Sequence, residues 1–141
     1  MTAARRIPCR LFPLRVGVLV VMFMWTLDKL VNPEHAAQVY AFFYASGGLS
    51  ATVFHLIGGL ELLVVLAFVA GLLKRFTYAI VLLLHAGSIL AAWRQYVDPF
   101  SNLLFFAAWP MPAACVTLYL LRDVDTLWVI PTSRRASRPT D

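Results

Sequence analysis

The sequence predicts an all-α integral membrane protein: a four-transmembrane-helix bundle with a short interfacial helix between the first two spans. Three observations predict it. Of the 141 residues, 61% are apolar and only 13% charged, against roughly 25% charged in a water-soluble domain; mean hydropathy is +0.77. The apolar residues gather into runs close to the ~20 residues, each rising ~1.5 Å, that a helix needs to cross a bilayer. The cations stand at the ends of these runs instead of forming one patch, so the net charge of +5 indicates a lipid bilayer as partner and no nucleic acid.

The first span is expected over residues 11–31, behind a basic N-tail of residues 1–10. Arg5, Arg6 and Arg10 followed by Val16–Leu27 have the look of a signal peptide. Asp28-Lys29-Leu30 comes next with no small-x-small cleavage site, so the segment reads as an uncleaved first helix. Its uncharged stretch is short, which puts Arg15 at one interface and Asp28-Lys29 at the other. Arg and Lys snorkel there, whereas Asp28 is too short and must sit among headgroups or bond inward.

Between spans one and two, Asn32 suits an N-cap, Pro33 the first helical turn and Glu34 the positive end of the helix dipole. Val39, Phe42, Phe43 and Ser46 keep helical spacing until Gly47-Gly48 stops the segment. A short helix lying on the membrane surface is expected. The second span is read over residues 51–73, Lys74-Arg75 as a tight connection, and the third over residues 76–93. The fourth is read over residues 102–121, with Pro110 and Pro112 kinking it by removing backbone hydrogen bonds. Residues 122–141 form a polar basic tail, and beyond Ile130 the Pro- and Arg-rich sequence predicts disorder or contact with anionic lipid.

Orientation follows from Lys and Arg counts. With both termini cytoplasmic, the inner side holds ten: Arg5, Arg6, Arg10, Arg15, Lys74, Arg75, Arg122, Arg134, Arg135 and Arg138. The outer side holds two, Lys29 and Arg94. A multi-pass protein of the cell's inner membrane is the expected setting.

Glu61 lies near the middle of span two. A carboxylate at that depth costs at least ~2.5 kcal/mol on insertion scales, so it is expected to face other helices and to be protonated or paired. It is either a structural hydrogen-bonding group or a ligand, proton or partner site. Counted from the Lys74-Arg75 connection, Glu61 and His85 differ by about three residues, ~5 Å of height, and form a midplane pair. Asp28, Lys29, His55, Arg94 and Asp98 fall in an outer cluster. Trp25, Trp93 and Tyr96 near it serve as interfacial anchors. His55 and His85 differ by about nine residues, ~13 Å, too far for the two axial ligands of one haem. His55 and Glu61 point to different helix faces, so no metal site is expected. Cys9 and Cys115 form no C-x-x-C and are expected to be inert thiols. Glycines 58, 59 and 71 allow close helix approach, or room beside Glu61.

The order of these residues resembles the DoxX family of small four-helix membrane proteins, with its MauE-type relatives. The resemblance rests on Arg15-x-Gly17, Asp28-Lys29-Leu30 with Pro33, Gly58-Gly59-Leu60-Glu61-Leu62 and Ala70-Gly71-Leu72-Leu73-Lys74-Arg75, and extends from about Arg15 to Leu121. It implies a four-helix bundle associated with redox systems, as in the membrane subunit of thiosulfate:quinone oxidoreductase. On that basis the chain is expected to be a membrane subunit or partner of a quinone-linked oxidoreductase. It would offer a quinone- or small-acid-binding pocket at Glu61 and His85, with Lys29 and Arg94 drawing an anionic substrate. A quinone is the one cofactor class admitted, and none is expected to be covalently bound. No haem pair, iron–sulfur cysteines or flavin fingerprint is present, so the chain is not expected to catalyse alone. The alternative is a non-enzymatic assembly, chaperone or scaffold protein whose polar residues only hold the bundle; in either reading the expected partner is a redox or other membrane protein, or a second copy of the chain in a homo-oligomer. A transporter is less well supported, since four spans without an inverted repeat need oligomerisation to form a path.

Overall fold

The computed structural model describes residues 3–130. Seven helices follow in order: α1 (Ala3–Val31), α2 (Pro33–Tyr44), α3 (Ala51–Val69), α4 (Lys74–Ala91), α5 (Trp93–Val97), α6 (Leu103–Phe106) and α7 (Pro110–Leu120). Among the described residues, four segments are long and apolar enough to cross a membrane: Ile7–Val31, Ala51–Val69, Lys74–Ala91 and Leu103–Leu120. The spans close a ring in which α1 packs on α3, α3 on α4, α4 on α7 and α7 on α1, while α2 lies across α1 and α3.

Helical periodicity selects the inward stripe of each span. On α3 the buried residues are Phe54, Gly58, Glu61, Val65 and Phe68, steps of three and four that keep one face turned inward. On α1 the stripe is Leu11, Arg15, Val18, Met22 and Thr26. The well-packed core lies at one end of the bundle, where Leu11, Val18, Met22, Val65, Phe68, Tyr78, Val81, Cys115 and Leu118 meet. Leucines such as Leu56, Leu63, Leu66 and Leu90 face outward. That surface needs a hydrocarbon solvent, and closed helices are a backbone form that hydrocarbon tolerates.

The structure departs from the sequence expectations at several boundaries. α1 starts at Ala3, with Pro8 and Pro13 inside the helix. α3 ends at Val69 and the turn runs through Ala70–Leu73, so Lys74 and Arg75 belong to the start of α4. The reason is local: Gly71 and Leu73 take left-handed backbone angles of 66° and 45°, which only glycine adopts freely. Asn32 occupies the N-cap of α2, but its side chain makes no capping hydrogen bond. The fourth span is more than kinked. Its α-helical ladder is interrupted between α6 and α7 by i→i+3 bonds at Ala107, Ala108 and Trp109, and Pro110 opens α7, where its missing N–H costs nothing.

The segment after α7 is not a free tail up to Ile130. It folds back over the end of the bundle, where the Ile130 amide donates to the Ala70 carbonyl at 3.0 Å. The expected properties of residues 131–141, including Arg134, Arg135 and Arg138, lie outside the described residues, as do those of Met1 and Thr2.

Candidate functional site

At the end opposite the packed core, α1–α4 do not fill the space between them. They leave a half-open, largely apolar cavity of about 820 Å³ that also reaches Tyr96, Phe105 and Ala108. Glu61 stands in its wall because it falls on the inward stripe of α3, three residues after Gly58. A Cβ on Gly58 would lie 2.9 Å from Leu30 Cδ2 and 3.2 Å from Lys29 Cβ. The missing side chain is therefore what lets α1 approach α3 here.

That approach brings Lys29 to Glu61. Its Nζ lies 2.9 Å from Glu61 Oε2, with the two side chains 9% and 8% exposed. It also donates to the Trp25 carbonyl at 3.2 Å. The partner of Glu61 is thus Lys29, which sequence counting had placed in the outer cluster, and not His85. The lysine stem turns inward from the end of α1 and carries the ammonium down to the carboxylate, which a depth count based on Cα positions does not register. A pair this buried is held by mutual compensation, and removing either partner costs ~3–5 kcal/mol.

Tyr40 of α2 closes over the pair. The Lys29 ammonium lies 6.0 Å from its ring centroid, and the ring packs edge-on to Phe54 and stacks on Tyr44. Burial pushes its hydroxyl up to about 12, with the negative charge of Glu61 and the neighbouring Tyr44 adding to the effect. At neutral pH it is a proton donor.

His85 lines the same cavity but bonds to none of these groups. It is 2% exposed, and neither ring nitrogen has a hydrogen-bond partner among the described residues. The Trp25 ring packs against it at 5.8 Å. The Ala108 backbone sits beside it without completing a hydrogen bond. A buried imidazole with both nitrogens unpaired is costly. On the cavity rim, His35 Nδ1 bonds Asp28 at 2.8 Å, and Tyr44 donates to Ser88 Oγ at 3.1 Å, joining α2 to α4.

The outer cluster expected from the sequence is therefore divided. Lys29 goes to Glu61 and Asp28 to His35. His55 is exposed and lines neither cavity. Arg94 is exposed over the Trp93 ring at 5.6 Å, beside a smaller cavity formed with Phe42, Tyr44 and Gln95. Asp98 is exposed and uses its carbonyl to accept Asn102 Nδ2 at 3.0 Å. Among the described residues no three His, Cys, Asp or Glu side chains converge on one point.

A second polar centre, at the packed end, was missed. Arg15 and Asp125 are both fully buried and 3.1 Å apart. Tyr78 donates to Asp125 Oδ2 at 2.7 Å, and Arg15 also donates to the carbonyls of Leu127 and Trp128. Lys74 donates to the Asp125 carbonyl. A signal was present in the sequence: Asp125 is followed closely by Leu127, Trp128, Val129 and Ile130, an apolar run out of place in a solvated tail.

This fold defines the class, a small all-α, multi-pass membrane protein with four spans. No protein-family model matches the chain, and no curated protein or solved structure shows significant similarity to it.

Proposed function

We propose that the chain is a DoxX-like protein of the inner membrane with both termini in the cytoplasm. It acts as the membrane subunit or partner of a quinone-linked redox system, and the cavity beside Glu61 is its ligand site. The observation that carries this reading is a cavity of about 820 Å³, inside the ~300–1,000 Å³ range of small-molecule sites, with a buried Lys29–Glu61 pair and an unpartnered histidine in its wall. Apolar walls suit an isoprenoid or alkyl chain, and the polar floor suits the oxygens of a head group. The ten-to-two distribution of Lys and Arg supports the orientation.

A quinone becomes a quinol by taking up two electrons and two protons. In this reading the electrons come from the redox centre of a partner protein. This chain's part is to bind and orient the head and to exclude water. In the alternative reading, as an assembly or scaffold protein, the same ion pairs only tie helices together.

One set of strains separates the two. Glu61→Gln and His85→Ala are compared with wild type for abundance, partner co-purification and quinone-linked electron flux. Gln preserves volume and hydrogen bonding while removing the charge. Stranding Lys29 lowers the amount of Glu61→Gln protein, so the ligand-site reading is judged on flux per partner-bound protein, which it expects to fall at least tenfold. Flux that falls only in step with the amount of protein refutes it and leaves the scaffold.

A further inference from the structure

We infer that the cavity selects an uncharged amphiphile with acceptor oxygens on its head and rejects one of the same length whose head is anionic. This rests on the reading of the cavity as a ligand site, and it replaces the idea that Lys29 draws an anionic substrate.

The floor of the cavity carries its own counter-charge. Lys29 is held 2.9 Å from Glu61, so its ammonium is already neutralised. On the rim, Asp28 adds a second carboxylate, with its oxygens 2.9 and 2.8 Å from His35 Nδ1. Arg94 lies beside the other cavity and offers nothing here. A carboxylate head at the floor would have to share Lys29 with Glu61 inside walls that are mostly carbon. It would lose its hydration and gain only a shared cation, while the Glu61 charge repels it across a medium that screens poorly.

What the floor does leave free is donor hydrogens. The ammonium has three N–H groups; one is directed at Glu61 and one at the Trp25 carbonyl. The third has no acceptor among the described residues, and the Tyr40 hydroxyl donates to none of them either. A neutral head with carbonyl or ester oxygens accepts from these donors without bringing a charge into the site. Tyr40 reaches this position only because α2 lies across α1 and α3, so the interfacial helix supplies part of the recognition.

Methyl dodecanoate and dodecanoate make the test, because they share a chain and an acceptor carbonyl and differ in charge. The full chain is placed in nanodiscs of zwitterionic lipid. Each compound displaces a decyl-substituted benzoquinone whose binding is followed by quenching of tryptophan fluorescence, Trp25 being in the cavity wall. Concentrations are expressed per lipid, to remove differences in partitioning. Wild type is expected to bind the ester at least about tenfold more tightly than the acid, the worth of one poorly compensated charge. Glu61→Gln frees the ammonium, and the preference should invert.

Equal binding of acid and ester by wild type, or an unchanged order in Glu61→Gln, overturns the inference while quinone binding leaves the site itself standing. Absence of quinone binding by wild type removes the site reading and this inference with it. If Glu61→Gln does not fold, the charge-free pair Lys29→Met/Glu61→Met decides the matter. With the Lys29 donor gone it must bind the ester more weakly than wild type does, and unchanged affinity for the ester refutes the proposal.

Discussion

Replacing Asp125 by alanine tests whether the segment after α7 belongs to the fold. Arg15 and Asp125 are both completely buried, 3.1 Å apart, so Asp125→Ala leaves a guanidinium in an apolar site without its counter-ion. Stranding one member of a buried pair costs ~3–5 kcal/mol. Loss of the acceptor for Tyr78, now bonded at 2.7 Å, is contained within that figure. Arg15→Met is expected to cost a similar amount, and it also leaves the Leu127 and Trp128 carbonyls unpaired, at ~1–3 kcal/mol. The double variant Arg15→Met/Asp125→Ala removes both charges and should be more stable than either single variant by at least ~2 kcal/mol, because neither charge is then stranded. Unfolding by SDS in mixed micelles gives the three values. Reactivity of the Cys115 thiol, 2% exposed in the core, gives an independent measure once the exposed Cys9 is changed to serine. An unfolding midpoint and thiol protection unchanged by Asp125→Ala would show that the segment does not dock. Strictly additive costs in the double variant would show that the two groups are not coupled.

Two further outcomes are expected. Single cysteines at Glu34 and Arg75, in a chain lacking Cys9 and Cys115, should label from opposite sides of the membrane, with position 34 periplasmic; labelling of position 75 from the periplasm reverses the orientation. The Tyr40 hydroxyl is pushed up from 10.0 to about 12 in the folded protein, so above pH 10 the unfolded chain releases that proton first. Its contribution to stability is complete below pH 10 and is lost as pH climbs toward about 12. Tyr40→Phe should remove this part of the alkaline loss, and identical slopes for the two proteins between about pH 9 and about pH 11 would show that the hydroxyl is not held by the site.

The architecture was legible because it follows from amounts and spacing. Long apolar runs, cations at their ends, and the Asn32-Pro33-Glu34 start of α2 each report on local chain properties that tertiary contacts did not override. Boundaries were less legible where a single backbone angle decides them. The left-handed Gly71 and Leu73 end α3 before Lys74, and nothing in the apolar pattern around them marks the turn. The site was half legible. Glu61 and His85 were found because ionisable groups in an apolar run stand out, but their partners depend on side-chain reach. Lys29 turns inward by the length of its stem, and Asp125 is carried back to Arg15 across nearly the whole chain. Neither is recoverable from depth along one helix.

The two polar centres differ in a way that bears on function. Around Arg15 both terminal guanidinium nitrogens meet carboxylate, hydroxyl and backbone carbonyl groups of the chain's own making, with Arg15 Nε and Asp125 Oδ1 left unpaired among the described residues, and that centre sits in the packed half among Leu11, Val18, Tyr78 and Leu118. It fastens three parts of the sequence, and neither of the two cavities is lined by its residues. Around Glu61 the neighbouring volume is empty, His85 has no partner, and the Tyr40 hydroxyl and one Lys29 hydrogen have nothing to donate to among the described residues. A bundle that needed polar groups only for cohesion has no need of a half-open cavity of about 820 Å³ beside them. An ion pair kept beside a cavity, with its donors unspent, is the arrangement expected where a ligand completes the packing.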